Sequence, residues 1–317
     1  MRIDDSTLWL RDLGSTGLTV SAVAAGGAGI GSWPEFFGYD VPIEQALQLV
    51  SDILDSPVRV IDTSNGYSEG ESERRIGQAI ALRGGLPDDH WVATKVDSKD
   101  GDYSARRVRD SIRESQDRLG LEFFPLVYLH DPEYAPDISE LLSPGGAVEA
   151  LIQLRDEGVI HHLGVAGGDV GVMQRFVATG AFEVLLTHNR WTLVDRSAGT
   201  LIDEAVGRGM GVVNAAYLGG GLLANPHGTT RYGYRPASNA TVAAARALEQ
   251  LSATWNVPLA TAALQFSLRD PRIDMSIVGI SKPERLPALV SAVETELPPD
   301  FWVAAEKLLP SEEHWLG

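Results

Sequence analysis

The chain has 317 residues, 44% of them hydrophobic, and a formal net charge of −17. One α/β barrel accommodates that length, and the apolar fraction is enough for a large core and argues against disorder. The acidity argues against nucleic acid, whose phosphates need a basic face, and against an anionic membrane surface.

There is no cysteine. That excludes disulfides, thiolate nucleophiles and cysteine-ligated zinc or iron–sulfur centres. The opening stretch MRIDDSTLWLRDLGSTG is too charged for a signal peptide, and no apolar run approaches the roughly 18 residues of a membrane span. These features fit a soluble, cytoplasmic protein.

In chain order, near-continuous apolar runs at 20–27, 58–63, 91–96, 126–130, 162–166, 184–188, 211–216 and 276–280 read as strands buried on both faces. Between them lie helical patterns. IEQALQLVSDIL repeats apolar residues at helical spacing. SARRVRDSIRESQDRLG carries a stripe at Val108, Ile112 and Leu119 and stops on Gly120, a natural C-terminal cap. AVEALIQLRDEG, DVGVMQRFVATG and SAGTLIDEAVGRG also stop on glycine, and NATVAAARALEQLSATW follows the same grammar. Strand–helix alternation with short connections predicts a parallel sheet covered by helices, and eight repeats favour a closed (β/α)8 TIM barrel. No linker or composition shift marks a second domain, so 1–317 reads as one. Two longer loops stand out, 30–40 and 223–238.

In such a barrel the active site lies at the C-terminal ends of the strands. Asp62 ends the second strand and Tyr67 follows in its loop. Lys95 lies near the end of the third, and His130 ends the fourth. Singly, each has a bland reading: an aspartate at a strand end is often a turn former or cap, and a histidine beside Asp-Pro is often structural. A lysine inside an apolar strand is harder to dismiss, because a buried ammonium needs a partner. Together, four ionisable residues from three neighbouring strands converge on one mouth. An ammonium beside a phenol is expected to lower the pKa of Tyr67 and make it a general acid–base group. Asp62 would pair with Lys95, and His130 would orient a substrate oxygen. The sequence shows no metal cluster and no good nucleophile. What remains is proton transfer to oxygen, with a cofactor supplying electrons.

GSTGLTVSAVAAGGAGIG, IDTSNGYSEGESERRIG, VATKV, VYLHDP, GVIHHLGVAGG, LLTHNRWTL, LGGGLLANP and IVGISKPERL cover almost the whole chain. In this order they resemble the aldo-keto reductases. The resemblance implies a monomeric or weakly oligomeric barrel that uses NAD or NADP without a Rossmann domain. It implies Tyr67 as proton donor, Lys95 and Asp62 as its tuning pair, and His130 as the substrate-positioning group. GGAGIGSW does not spell G-x-G-x-x-G, whereas the turn at Tyr217, Leu218, Gly219 and Gly221 fits a diphosphate cradle.

The departures concern the cofactor. Where the family often has GVSN after the fifth strand, this chain has Gly164-Val165-Ala166-Gly167. His188 stands where a glutamine commonly ends the sixth strand, followed by Asn189. Gly279 takes the usual NADP-binding lysine position, with Ser281, Lys282 and Arg285 nearby to meet a 2′-phosphate or adenine. Ala288-Leu289 replaces the usual Glu-Asn pair. The balance favours NAD.

HNRWTLVD and the 220–237 stretch are similar in texture to the branch of D-threo-aldose (L-fucose) 1-dehydrogenases, L-galactose dehydrogenases and pyridoxal dehydrogenase. That branch oxidises sugar lactols to lactones. Trp33, Phe36, Phe37 and Tyr39 are expected to overhang the cofactor, and Trp191 to line the substrate pocket. Aromatic faces suit sugars and aromatic aldehydes alike. Arg231, Tyr232, Tyr234 and Arg235 would close over phosphate or substrate, or simply be solvated. His161-His162 reads as structural, since strand neighbours face opposite ways. The alternatives are an NADPH-dependent carbonyl reductase and a cofactor-binding sensor or partner subunit without turnover. A glycosidase, which needs two facing acids, would leave Lys95 and Tyr67 without a role.

Overall fold

The computed structural model describes residues 8–317. Residues 1–7 of the charged N-terminal stretch lie outside them, as does the side chain of Phe36. Eight parallel strands form the expected barrel: β1 (Val23–Gly26), β2 (Val60–Asp62), β3 (Trp91–Val96), β4 (Phe124–His130), β5 (Ile160–Gly167), β6 (Val184–His188), β7 (Gly211–Ala215) and β8 (Met275–Gly279). Each pairs with its predecessor, and β8 closes on β1 with Ile277 opposite Ala24.

The strands are apolar on both faces because both faces are covered. Inward residues such as Ala24, Val60, Ala93, Leu126 and Val213 fill the barrel, while their neighbours Val23, Ile61, Val92, Val127 and Val212 pack outward. Tyr128 is fully buried inside the barrel. Its ring fits because Gly164 faces it from β5: a Cβ there would stand 2.3 Å from the ring.

The outer layer comprises α1 (Ile43–Leu54), α2 (Glu71–Arg83), α3 (Ala105–Leu119), α4 (Ala147–Asp156), α5 (Val170–Ala178), α6 (Gly199–Gly207), α7 (Asn239–Thr254), α8 (Leu259–Leu268), α9 (Leu286–Val293) and α10 (Pro299–Glu306). The caps of α3 are legible in its sequence. Ser104 Oγ accepts from Arg107 N, and Gly120 ends the helix at φ +67°.

The run at 20–27 divides. Thr19–Ser21 pairs with Leu10–Asp12 as a hairpin across the barrel floor, and β1 begins only at Val23. Ser21 causes the break: its hydroxyl donates to Val23 O at 2.7 Å and accepts from Arg59 N at 2.9 Å.

The loop at 30–40 contains a helical turn, Pro34–Phe37, and the loop at 223–238 a small hairpin pairing Arg231–Tyr232 with Arg235–Pro236. The C-terminal tail docks on that hairpin. Leu316 N donates to Asp195 at 2.7 Å, Arg235 donates to Leu316 O at 3.1 Å, and Leu316 packs against Gly233. Among the described residues no helix is long and apolar enough to cross a membrane.

Candidate active site

Asp62 and Lys95 sit one strand apart at the top of the barrel, both almost fully buried. The Lys95 ammonium donates to Asp62 Oδ1 at 2.6 Å, to Thr63 O at 2.7 Å and to the Tyr67 hydroxyl at 3.3 Å. Burial pushes the Asp62 carboxyl up on balance, and Lys95 opposes this in part. The short contact, and an ammonium whose three protons all find acceptors, hold the pair in its ionised form. The His130 ring meets Tyr67 edge-on with centroids 5.7 Å apart. The fold thus gathers Asp62, Tyr67, Lys95 and His130 at one mouth.

The loop that presents Tyr67 is clamped from below. Asn65 O accepts from Arg118, its side-chain oxygen accepts from Arg107, and its amide donates to Ser111 O. Arg118 also bonds the fully buried Glu73 of α2 at 3.1 Å, and Glu73 accepts from Thr94 of β3. After Tyr67 the chain turns through left-handed Ser68 and Glu69, then Gly70 at φ +85°. Gly70 is forced twice over, because a Cβ there would stand 2.3 Å from the Arg118 guanidinium carbon. Left-handed non-glycine residues recur directly after other strands: Asp131, Asn189 and Ala216. Such conformations cost energy and cluster where a site constrains the backbone.

One electrostatic expectation is reversed. Burial pushes the Tyr67 phenol up; Lys95 opposes this, but Asp62 and Asp97 add to it. Because Asp62 neutralises Lys95, the net field does not favour a phenolate, and the phenol stays protonated at neutral pH.

Sequence reading missed Asp97, one residue past β3. Its Oδ1 accepts from His130 Nδ1 at 2.5 Å, and its Oδ2 accepts from Gly66 N at 2.6 Å and from the Ser64 hydroxyl. It also missed Asp131 and Glu133. Asp131 Oδ1 lies 3.8 Å from His130 Nε2 and 3.7 Å from His188 Nε2. Burial raises the Asp131 pKa, but the two histidines outweigh it and push it down to about 2. Glu133 Oε1 accepts from Gly168 N at 2.6 Å, and Glu133 Oε2 occupies the space a side chain at 167 would take. Asp131, Glu133 and His188 place ligand-type atoms within 4.8 Å of one another, a grouping their sequence separation conceals.

The expected cofactor residues ring the same end. His188 is half-buried, its Nδ1 3.0 Å from Asn189 Nδ2. Asn189 is buried, and its carbonyl accepts from Tyr232 at 2.6 Å. Tyr217 is buried just beyond β7 and Leu218 is partly buried. The cradle differs from expectation. Gly219 N donates to Ala216 O and Gly221 N to Leu218 O, so both amides are used within the turn. A Cβ on Gly219 would stand 2.2 Å from the Tyr232 ring. Gly279 is exposed, with open space around it, and Ser281 is buried, its carbonyl accepting from Gln45 at 2.6 Å. Lys282 and Arg285 are exposed.

The substrate residues divide. Trp33 is half-buried at the start of the Pro34–Phe37 turn. Tyr39 is exposed, its ring is tilted against Phe37, and its hydroxyl lies near Gly29, just past β1. Trp191 is not brought into the mouth: it is buried between Phe266 and the guanidinium groups of Arg196 and Arg272. His161 stacks on Phe123 while His162 bonds Glu183, which fits opposite faces and structural roles.

The sequence model described as the Aldo/keto reductase family matches residues 23–310. L-galactose dehydrogenase of Arabidopsis thaliana is 31% identical over 91% of this chain and 88% of its own length. D-threo-aldose 1-dehydrogenase of a Pseudomonas species is 26% identical (94% and 97%), and pyridoxal 4-dehydrogenase of Microbacterium luteolum 27% (92% and 95%). Among solved structures, the fold is shared with an aldo-keto reductase of Bacillus halodurans in holo form, at TM-score 0.78 and 23% identity. That match covers 95% of this chain and 96% of the other. Fold, match and relatives agree: the chain belongs to the aldo/keto reductase family and is an NAD(P)-dependent oxidoreductase.

Proposed function

We propose that the chain oxidises a sugar lactol to its lactone, as an aldose 1-dehydrogenase, with Tyr67 as the general acid–base group. The observation that carries this is Lys95 bonded at once to Asp62 and to the Tyr67 hydroxyl, with the His130 ring alongside. Three relatives named as dehydrogenases of L-galactose, D-threo-aldoses and pyridoxal support the substrate class.

The residues present fit a nicotinamide cofactor. Exposed Lys282 and Arg285 at the end of β8 suit its phosphate-bearing half, and His188 and Tyr217 at the ends of β6 and β7 suit its ring. When bound, the cofactor supplies the hydride acceptor or donor. The chain's own residues handle the proton. Oxidation of the lactol releases a proton from its hydroxyl, which the deprotonated form of Tyr67 takes as base; in the reverse sense the protonated form gives it to a carbonyl oxygen. Lys95 holds the phenol in place, Asp62 keeps Lys95 charged, and His130 faces the substrate oxygen. We favour NAD over NADP, because Gly279 and Ala288-Leu289 replace three side chains expected of an NADP site.

A second reading, a carbonyl reductase, is supported by the protonated state of Tyr67, which suits donation to a carbonyl. The test is reduced-nicotinamide absorbance with NAD+ and NADP+ on L-fucose, D-arabinose, L-galactose, pyridoxal and simple alcohols. A signal on a sugar supports the dehydrogenase. Silence there, with NAD(P)H consumed by aldehydes or ketones, selects the reductase. Silence in both directions with cofactor bound would sink both enzyme readings and leave a sensor.

A further inference from the structure

We infer that Asp97 is a positioning residue for His130: it binds Nδ1, turns Nε2 toward the mouth and holds the ring as a hydrogen-bond donor to the substrate oxygen. This rests on the reading of His130 given above.

The geometry is specific. The carboxylate is fixed at both oxygens, by His130 Nδ1 at 2.5 Å on one side and by Gly66 N and the Ser64 hydroxyl on the other. Its backbone is fixed as well: Asp97 N donates to Ser111 Oγ at 3.3 Å, and Asp97 O accepts from Arg107 Nε at 3.2 Å. Among the described residues no hydrogen bond is made by His130 Nε2, the ring atom left for a substrate.

A carboxylate accepts only, so it selects the form of the ring that carries a proton on Nδ1. If the ring is neutral, Nε2 is then an acceptor. If it is charged, Nε2 is a donor, which is what a carbonyl oxygen requires. The charged groups facing the ring decide between these. Asp97 lies against Nδ1 and Asp131 lies 3.8 Å from Nε2, with His188 paired to Asp131 in turn; the Tyr67 ring meets the imidazole edge-on, and Tyr67 is bonded to Lys95 and through it linked to Asp62. Burial opposes the charge and Lys95 adds to that, but Asp97 and Asp131 outweigh both and raise the His130 pKa. Asp97 itself stays ionised: burial pushes it up, and His130, Ser64 and Gly66 bring it down further.

The test is a pH titration of nitrogen-15 histidine-labelled protein by NMR, the His130 signal being assigned by its loss in His130→Asn. In the unmodified chain the midpoint should lie above the reference of about 6.5, and the neutral form should carry its proton on Nδ1. In Asp97→Asn the midpoint should fall by about one unit or more, and kcat/KM for carbonyl reduction should fall about tenfold at pH above both midpoints, with its pH limb moving by the same amount. A midpoint at or below 6.5 in the unmodified chain, a proton on Nε2 in the neutral form, or an unchanged midpoint in Asp97→Asn overturns the proposal. The first two readings need no variant to fold and no turnover. A chain without activity but with His130 clamped as described would overturn the function and leave this inference standing.

Discussion

Lys95 holds the Tyr67 hydroxyl at 3.3 Å while its charge is spent on Asp62 at 2.6 Å. The lysine therefore places the phenol more than it acidifies it. A phenol pushed up by burial is lost as a donor only in strongly alkaline solution. Carbonyl reduction should then keep its Tyr67 donor from pH 6 to about 9. Alcohol oxidation needs the deprotonated form as base, so its rate should climb with pH across the same range. Profiles of kcat in both directions check this, and an oxidation rate that falls as pH rises would contradict it.

Replacing Tyr67 with Phe removes the phenol oxygen and leaves the ring against His130. The rate should drop at least about 100-fold in either direction, since positioned proton transfer is worth that much. Cofactor affinity, measured by fluorescence quenching, should change little. An unchanged rate would remove Tyr67 from the mechanism.

Lys95→Met should cost stability as well as activity. Asp62 Oδ2 is buried without a hydrogen-bond partner, so losing the ammonium strands a buried carboxylate. Breaking such a pair costs about 3–5 kcal/mol. The double variant Lys95→Met with Asp62→Asn should recover part of that loss in urea unfolding while remaining inactive. Equal stability of the single and double variants would mean the pair is not coupled.

Gly164→Ala tests the barrel interior. The added methyl meets the Tyr128 ring, which is fully buried inside the barrel. Overpacking of this kind costs about 1–3 kcal/mol. Gly207→Ala, where a Cβ meets nothing within 4 Å, should be neutral or slightly stabilising. Melting temperatures of the two variants give the comparison directly.

Much of this was legible in the chain because strands buried on both faces are written as uninterrupted apolar runs, and strand ends as polar residues after them. Asp62, Lys95 and His130 stand at such boundaries, so the barrel rule alone brings them together. Asp97 and Asp131 were harder to see. Each sits one residue past a strand, where aspartate is ordinary turn chemistry, and only the register of β3 beside β4 shows that Asp97 faces His130. Trp191 misled for the opposite reason: an aromatic just past a strand end looks like pocket lining, yet the chain turns it outward onto Phe266. The sign of the Tyr67 shift escaped because it depends on burial and on the partner charge at Lys95 together. The hairpin split at Ser21 turns on one hydroxyl bonded across to Arg59, which no periodicity reveals.

Cofactor choice should be read by the end of β8. Lys282 and Arg285 are exposed there, and Gly279 leaves open space beside them. A 2′-phosphate carries charge that free cations bind well, whereas a ribose hydroxyl offers them little. The unmodified chain should therefore accept NADP as well as NAD, with NAD still the better substrate by kcat/KM because Gly279 and Ala288-Leu289 withhold the other side chains expected of an NADP site. Lys282→Ala with Arg285→Ala should raise KM for NADP about tenfold or more and leave KM for NAD within about threefold, with kcat unchanged for both, because both side chains are exposed past β8 whereas Tyr67 follows β2 and His130 ends β4. Equal losses for the two cofactors would instead mean that these cations grip a group NAD and NADP share, the diphosphate or the adenine, and that the turn at Gly219–Gly221, whose amides are used internally, plays the lesser part in holding it.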